Sequence, residues 1–91
     1  MKTFIKDPAS TANYGVDWTD WLDTGETIVG SVWVLPTGLT NAGDAFDTTK
    51  AVVYISGGSE GQEYVVTNTI TTDSSPAKVE PRRFKLIIRE K

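Results

Sequence analysis

Cysteine and histidine are both missing from this chain of 91 residues. Without cysteine there is no disulfide, no thiol nucleophile and no Cys-based metal site, and the redox compartment stays open. Without histidine, His-dependent triads and most zinc chemistry are excluded. Long apolar runs are missing as well: nothing approaches the roughly eighteen residues that cross a bilayer as a helix. The opening Met1-Lys2-Thr3-Phe4-Ile5-Lys6-Asp7-Pro8 lacks the apolar stretch of a signal peptide, so a soluble chain made in the cytosol is expected. No helical period of any length is present either, which leaves strands and turns to build the fold.

What is there is one small domain's worth of chain, with three Trp, three Tyr and three Phe to fill a single core. Its organising stretch runs from Gly61 to Thr72. Tyr64, Val66 and Ile70 fall on one face of a period-2 ladder, and Val65, Thr67, Thr69 and Thr71 on the other. A Tyr just after a Gly corner and two residues before an inward apolar position is the pattern of a tyrosine corner in an immunoglobulin-like sandwich. That geometry predicts a bond from the Tyr64 hydroxyl to backbone within Gly57–Gln62.

Other strands gather around this one. Tyr14, Val16 and Trp18 alternate against polar neighbours, and a helical turn after them would bring Trp18, Trp21 and Leu22 together as a plug over one end. In Thr27–Leu35, Ile28 is out of phase with Trp33 and Leu35, so a bulge or bend at Gly30 is expected to return it to the core face. Val32 and Val34 point the other way, which suits a central strand or a surface that meets a partner. Leu39–Phe46 is the weakest strand, because its two ends disagree in phase. Ala51, Val53 and Ile55 alternate cleanly up to the turn cluster Gly57-Gly58-Ser59-Glu60-Gly61. In the last strand, Arg83–Arg89, Phe84, Leu86 and Ile88 face in while Arg83, Lys85 and Arg89 face out. The fold class is therefore all-β, an immunoglobulin-like β-sandwich of six to seven strands. The domain is expected over residues 13–91, preceded by an N-terminal arm over residues 1–12 that Pro8 keeps extended and that is mobile until it docks.

Charge is divided unevenly. Residues 1–77 carry a balance of −7, while residues 78–91, with Lys78, Arg82, Arg83, Lys85, Arg89 and Lys91, carry +4. Such a division favours head-to-tail contacts between copies, or contact with an acidic neighbour. It does not favour nucleic acid, because the chain as a whole is acidic and basic residues on a last strand serve to protect an edge. The spacing Asp17, Asp20, Asp23, Glu26 lacks the Asp/Asn alternation of a helix–loop–helix calcium loop and reads as the solvated side of a turn. Paired carboxylates for glycoside hydrolysis would need a cleft that small sandwiches seldom have. Trp18, Trp21 and Tyr54 are the candidates for stacking on sugars, but they form no flat row. No catalytic residue, cofactor or metal is expected.

Taken in order, certain motifs resemble a family of small virion proteins of tailed bacteriophages. They are Lys6-Asp7-Pro8, Tyr14-Gly15-Val16-Asp17-Trp18 with Trp21-Leu22, and Gly25-Glu26-Thr27-Ile28 leading to Ser31-Val32-Trp33. They continue with Pro36-Thr37-Gly38-Leu39, Tyr54-Ile55-Ser56-Gly57-Gly58, and Gly61 with Tyr64 through Thr72. The chain departs from the pattern at Asp73-Ser74-Ser75-Pro76-Ala77 and Pro81, where such proteins often carry a Gly-Arg-rich turn. The resemblance implies an immunoglobulin-like fibre–tail adaptor or minor structural protein without enzymatic activity, assembled into the virion in the host bacterial cytoplasm. Its partners would be other virion proteins of tail, fibre or capsid, in several copies, with neither nucleic acid nor membrane. Head decoration or head–tail joining is the alternative within that class, and a free-standing carbohydrate- or protein-binding module the alternative outside it. The residues expected to touch partners are Phe4 and Ile5 on the arm, with Lys2 and Lys6 beside them, and Arg83, Lys85 and Arg89 on the last strand.

Overall fold

A computed structural model of the chain describes residues 2–90. Seven strands are present: β1 (Lys2–Lys6), β2 (Ala12–Asp17), β3 (Ile28–Val34), β4 (Leu39–Phe46), β5 (Lys50–Gly57), β6 (Glu63–Thr72) and β7 (Val79–Ile88). They form a four-stranded sheet in the order β1-β7-β6-β3 and a three-stranded sheet in the order β2-β5-β4. The two sheets pack as a sandwich, and their strand order corresponds to that of an immunoglobulin domain, with β2-β5-β4 matching B-E-D and β3-β6-β7 matching C-F-G. The first strand lies beside the last. The block measures 44 × 22 × 19 Å.

The alternation seen in the sequence sets the register. Val66, Ile70 and their neighbour Asn68 face inward from β6, against Phe84, Leu86 and Ile88 of β7 and Trp33 of β3. Ala51, Val53 and Ile55 meet them from β5, and Val16 from β2. The β3–β6 register shifts between Ile28 and Gly30, and Ile28 is returned to the core while Val29 is pushed outward. A second shift, between Asn41 and Gly43 of β4, explains the disagreement in phase between Leu39 and Phe46.

Part of the arm expected over residues 1–12 is docked on the sandwich. Residues 2–6 form β1, which pairs in parallel with β7 from Lys2↔Phe84 to Lys6↔Ile88. Phe4 supplies the reason. Its ring lies 5.3 Å from both Tyr14 and Phe84, and Tyr14 and Phe84 are 5.7 Å apart. Together with a ladder of main-chain bonds, that three-ring cluster offsets the ordering cost of about 1–2 kcal/mol per residue. Lys6 then passes through the end of the sandwich, buried, with its Nζ donating to the carbonyls of Gly57 (2.7 Å) and Asp7 (2.9 Å). Burial lowers its pKa, opposed by the charge of Asp7.

β7 begins earlier than the sequence suggested, and Pro81 lies within it. The Lys78 carbonyl accepts from Thr72 of β6 and the Ile88 N–H donates to Gln62 just before β6, whereas Arg89 donates to Lys6 on the β1 side. Even-numbered residues thus serve β6 and odd-numbered ones look away from it. Pro81 is odd and lies beyond the end of β1, so its missing N–H removes no ladder bond.

The opposite end is closed by the turn after β2. The Trp18 carbonyl accepts from the N–H groups of Trp21 and Leu22, both at 3.0 Å, and the two indoles meet edge to face at 5.3 Å. Arg82 lies over the Trp18 ring and Lys78 over the Trp21 ring. Lys78 also pairs with Asp23 (3.2 Å) and Glu26 (3.0 Å). The Glu26 side chain is only 4% exposed. The Asp23 N–H and then Lys78 hold its carboxyl down at a pKa of about 2.

Two expectations follow from this packing. At the tyrosine corner, the Ser59 N–H donates to the Tyr64 hydroxyl at 3.3 Å. That hydroxyl lies so close to Gly38 (φ +108°) that a Cβ there would sit 3.0 Å from it. Tyr64→Phe should therefore cost about 0.5–1.5 kcal/mol, seen as a lower melting temperature, and an unchanged melt would contradict the corner's role. Glu26 gives a pH signature. Its folded pKa lies below the ordinary 4.5, so its contribution is complete above that value and is lost as pH falls toward 2. Between pH 4.5 and 2, Glu26→Gln should lose less melting temperature than the parent. An identical acid profile would contradict the ion pair.

Candidate functional site

The strands sort the expected contact residues onto different surfaces. On the outer face of the four-stranded sheet, pairing lines up rows across the strands: Ile5 next to Ile87, Thr3 next to Lys85 and Lys85 next to Val65, and Arg83 next to Thr67, which in turn adjoins Val34. In the next row Val32 adjoins Thr69, and Thr69 adjoins Pro81. Ile5, Arg83 and Lys85 are thus brought together on one face. Arg89 lies just past β7, exposed, its N–H bound to Lys6. Phe4 points to the other side of β1, half-buried in the aromatic cluster. Of the two lysines expected beside the anchors, Lys2 is exposed and Lys6 is buried.

This outer face is apolar to an extent that a solvated sheet does not require. Val32 and Val34 are 61% and 59% exposed and Ile5 is 47% exposed, with Val29, Val65 and Val79 also open. Between them run Thr67, Thr69 and Thr71, so β-branched side chains cover most of it. Charge enters at Arg83 and at Lys85, which pairs with Glu63 at 3.3 Å. β3, at the margin of this sheet, has no charged residue and no proline. The other edge strands all carry charge: β1 has Lys2 and Lys6, β2 has Asp17, and β4 has Asp44. An uncharged, β-branched edge is what a sheet normally avoids leaving open.

Candidate chemistry elsewhere is absorbed by structure. Trp18 is fully buried, and Lys78 lies over Trp21, so Tyr54 is the only exposed ring of the three considered for sugar stacking. In the acidic series, Asp17 accepts from the N–H and hydroxyl of Thr19, which lower its pKa, while Asp23 and Glu26 serve Lys78. Among the described residues no group of three or more acidic side chains converges as a metal site would require. One cleft of about 350 Å³ opens between β1, β2 and β7, lined by Phe4, Phe84 and Val16 together with Lys2, Arg82, Arg83 and Asp17.

Three buried polar residues, Lys6, Asn68 and Thr72, escaped the sequence reading. Asn68 accepts the Trp18 indole N–H at 3.1 Å and donates to the Ser31 hydroxyl (2.9 Å) and the Val32 carbonyl (3.3 Å). Its even position in β6, in line with Val66 and Ile70, was the available signal. For Lys6 the signal was the alternation Lys2-Phe4-Lys6 against Thr3-Ile5, which is strand period from the second residue onward.

Among curated proteins no relative matches the chain. The model of the podophage GP4 fiber-tail adaptor protein gp77 family matches residues 6–86, from the buried Lys6 to the core residue Leu86 of β7. A match over nearly the whole sandwich shows that the chain belongs to that family, whose members are structural phage-tail proteins serving as fibre–tail adaptors.

Proposed function

We propose that this protein joins neighbouring virion proteins as a rigid, non-catalytic block, docking through the outer face of its four-stranded sheet. The observation that carries the reading is the open apolar surface of Val32, Val34, Val65 and Ile5 on a domain whose interior is filled. Arg83 and Lys85 stand among these side chains and would orient an acidic neighbour, with Arg89 at the end of the same strand. Phe4 contributes from the other side of β1, as a wall of the aromatic cluster. An adaptor needs a fixed distance between two partners, and a 44 Å sandwich supplies one without a ligand pocket. The protein works in several copies on a tail, assembled in the host bacterial cytoplasm, and needs neither nucleic acid nor membrane.

The test is to place charge in the middle of this face and leave the core alone. Val32→Lys combined with Val34→Lys should change stability little, since exposed substitutions usually stay within about 0.5 kcal/mol each. Incorporation into phage particles, measured against the parent in a complementation assay, should fall sharply. Normal incorporation of a normally folded double variant would overturn the proposal. Raising salt should weaken docking without lowering the melting temperature, because the charged contacts are exposed.

A further inference from the structure

We infer that copies of this protein also bind one another head to tail, the Asp44-Ala45-Phe46-Asp47 corner of one copy entering the β1/β2/β7 cleft of the next. The inference rests on the multi-copy part of the proposed function and names the surface for it. The cleft is lined by two Phe residues and three cations, the latter partly offset by Asp17. Arg82 is anchored there already, over Trp18 and within 3.4 Å of the Asp17 carbonyl, which leaves Lys2 and Arg83 to meet an incoming acid. The occupant such a site selects is an aromatic side chain flanked by carboxylates. At about 350 Å³ it is near the small end of ligand sites, which run to roughly 300–1,000 Å³, and suits one side chain rather than a larger ligand.

The chain itself carries that occupant. Phe46 is 44% exposed at the end of β4, with Asp44 and Asp47 on either side. Asp47 Oδ1 is committed to the N–H groups of Thr49 and Lys50, which fixes the corner and lowers the carboxyl's pKa while Oδ2 stays available. Lys50 is adjacent and offsets part of the corner's charge, so the apolar ring supplies the affinity and the acids the orientation.

Position in the fold makes the match usable. β4 and β2 are opposite edges of the three-stranded sheet, with β5 between them. Val16 in the cleft wall pairs with Ala51, and Ala51 pairs with Phe46, so corner and cleft lie at one level on opposite margins. Two strand spacings, or about 10 Å, separate the backbones of the two margins. One copy can therefore offer its corner while its own cleft receives another. A contact of this kind is heterologous, and it closes into a ring when the rotation per copy allows. Arg83 borders both surfaces, and Val32, Val34, Val65 and Ile5 on the outer face of the four-stranded sheet stay open to a tail or fibre protein.

Purified protein at low salt tests this by sedimentation velocity up to about 1 mM. The parent should show mass rising with concentration. Phe46→Ala should weaken the association at least about tenfold, the loss expected for an aromatic anchor. The decisive arm mixes two variants that are each monomeric and fold normally by circular dichroism. Lys2→Glu with Arg83→Glu keeps only the corner, and Asp44→Lys with Phe46→Ala keeps only the cleft. Mixed, they should give a one-to-one dimer and nothing larger. A parent that stays monomeric, or a mixture that stays monomeric or grows past the dimer, would overturn the inference. Because no tail protein is present in this assay, such a failure is separate from failure of docking, which particle incorporation reads.

Discussion

The Trp18 indole N–H is fully enclosed, and the one side-chain oxygen that meets it is Oδ1 of Asn68. That bond crosses the sandwich: Trp18 follows β2 of the three-stranded sheet, and Asn68 lies in the middle of β6 of the other. The Asn68 amide then reaches β3 through Ser31 and Val32, so three strands and both sheets meet at one side chain. Each such bond contributes about 0.5–1.5 kcal/mol when made, but an enclosed donor or acceptor left alone costs about 1–3 kcal/mol. With no cysteine in the chain, this network takes over the cross-linking that antibody domains assign to a disulfide between the equivalent sheets.

The ends of the sandwich follow from the same need to satisfy buried polar groups. At one end Trp18 is covered by Arg82 and Trp21 by Lys78, and the ion pairs of Lys78 fasten β7 to the turn after β2. At the other, the Lys6 ammonium donates to the Gly57 carbonyl and ties β1 to the tip of β5. Close by, Gly58 leaves no room for a Cβ, which would lie 2.6 Å from Ile88. With both ends closed, partners can be met only on faces and edges. An adaptor that must hold position rather than move suits such a block.

The sequence shows most of this in its alternation. β5, β6 and the second half of β7 read correctly residue by residue, because each presents one apolar face to a core and a turn signal at its end. The bulge at Gly30 was legible because Ile28 was out of phase. β1 was not legible as a strand: Pro8 suggested an arm, and a strand paired in parallel with the last one gains its stability from residues more than seventy positions away. Lys6 and Asn68 were passed over for a related reason, since a polar residue on an inward face looks like a flaw until its partner is known. Of the expected contact residues, Ile5, Arg83 and Lys85 share a surface, whereas Phe4 belongs to the aromatic cluster. For Val32 and Val34 the sequence suits either a central strand or a partner-facing surface, and only the sheet order, with β3 at its margin, decides for an exposed strand.

The account depends on the two sheets behaving as one cooperative unit pinned at Trp18 and Asn68. Hydrogen exchange of the Trp18 indole N–H, followed by NMR, reads this most directly. If the pin holds the sheets together, that proton exchanges only through global unfolding, with an opening free energy equal to the stability measured by denaturant. Exchange with an opening free energy well below the global value would show that the plug lifts by itself, and would contradict the account.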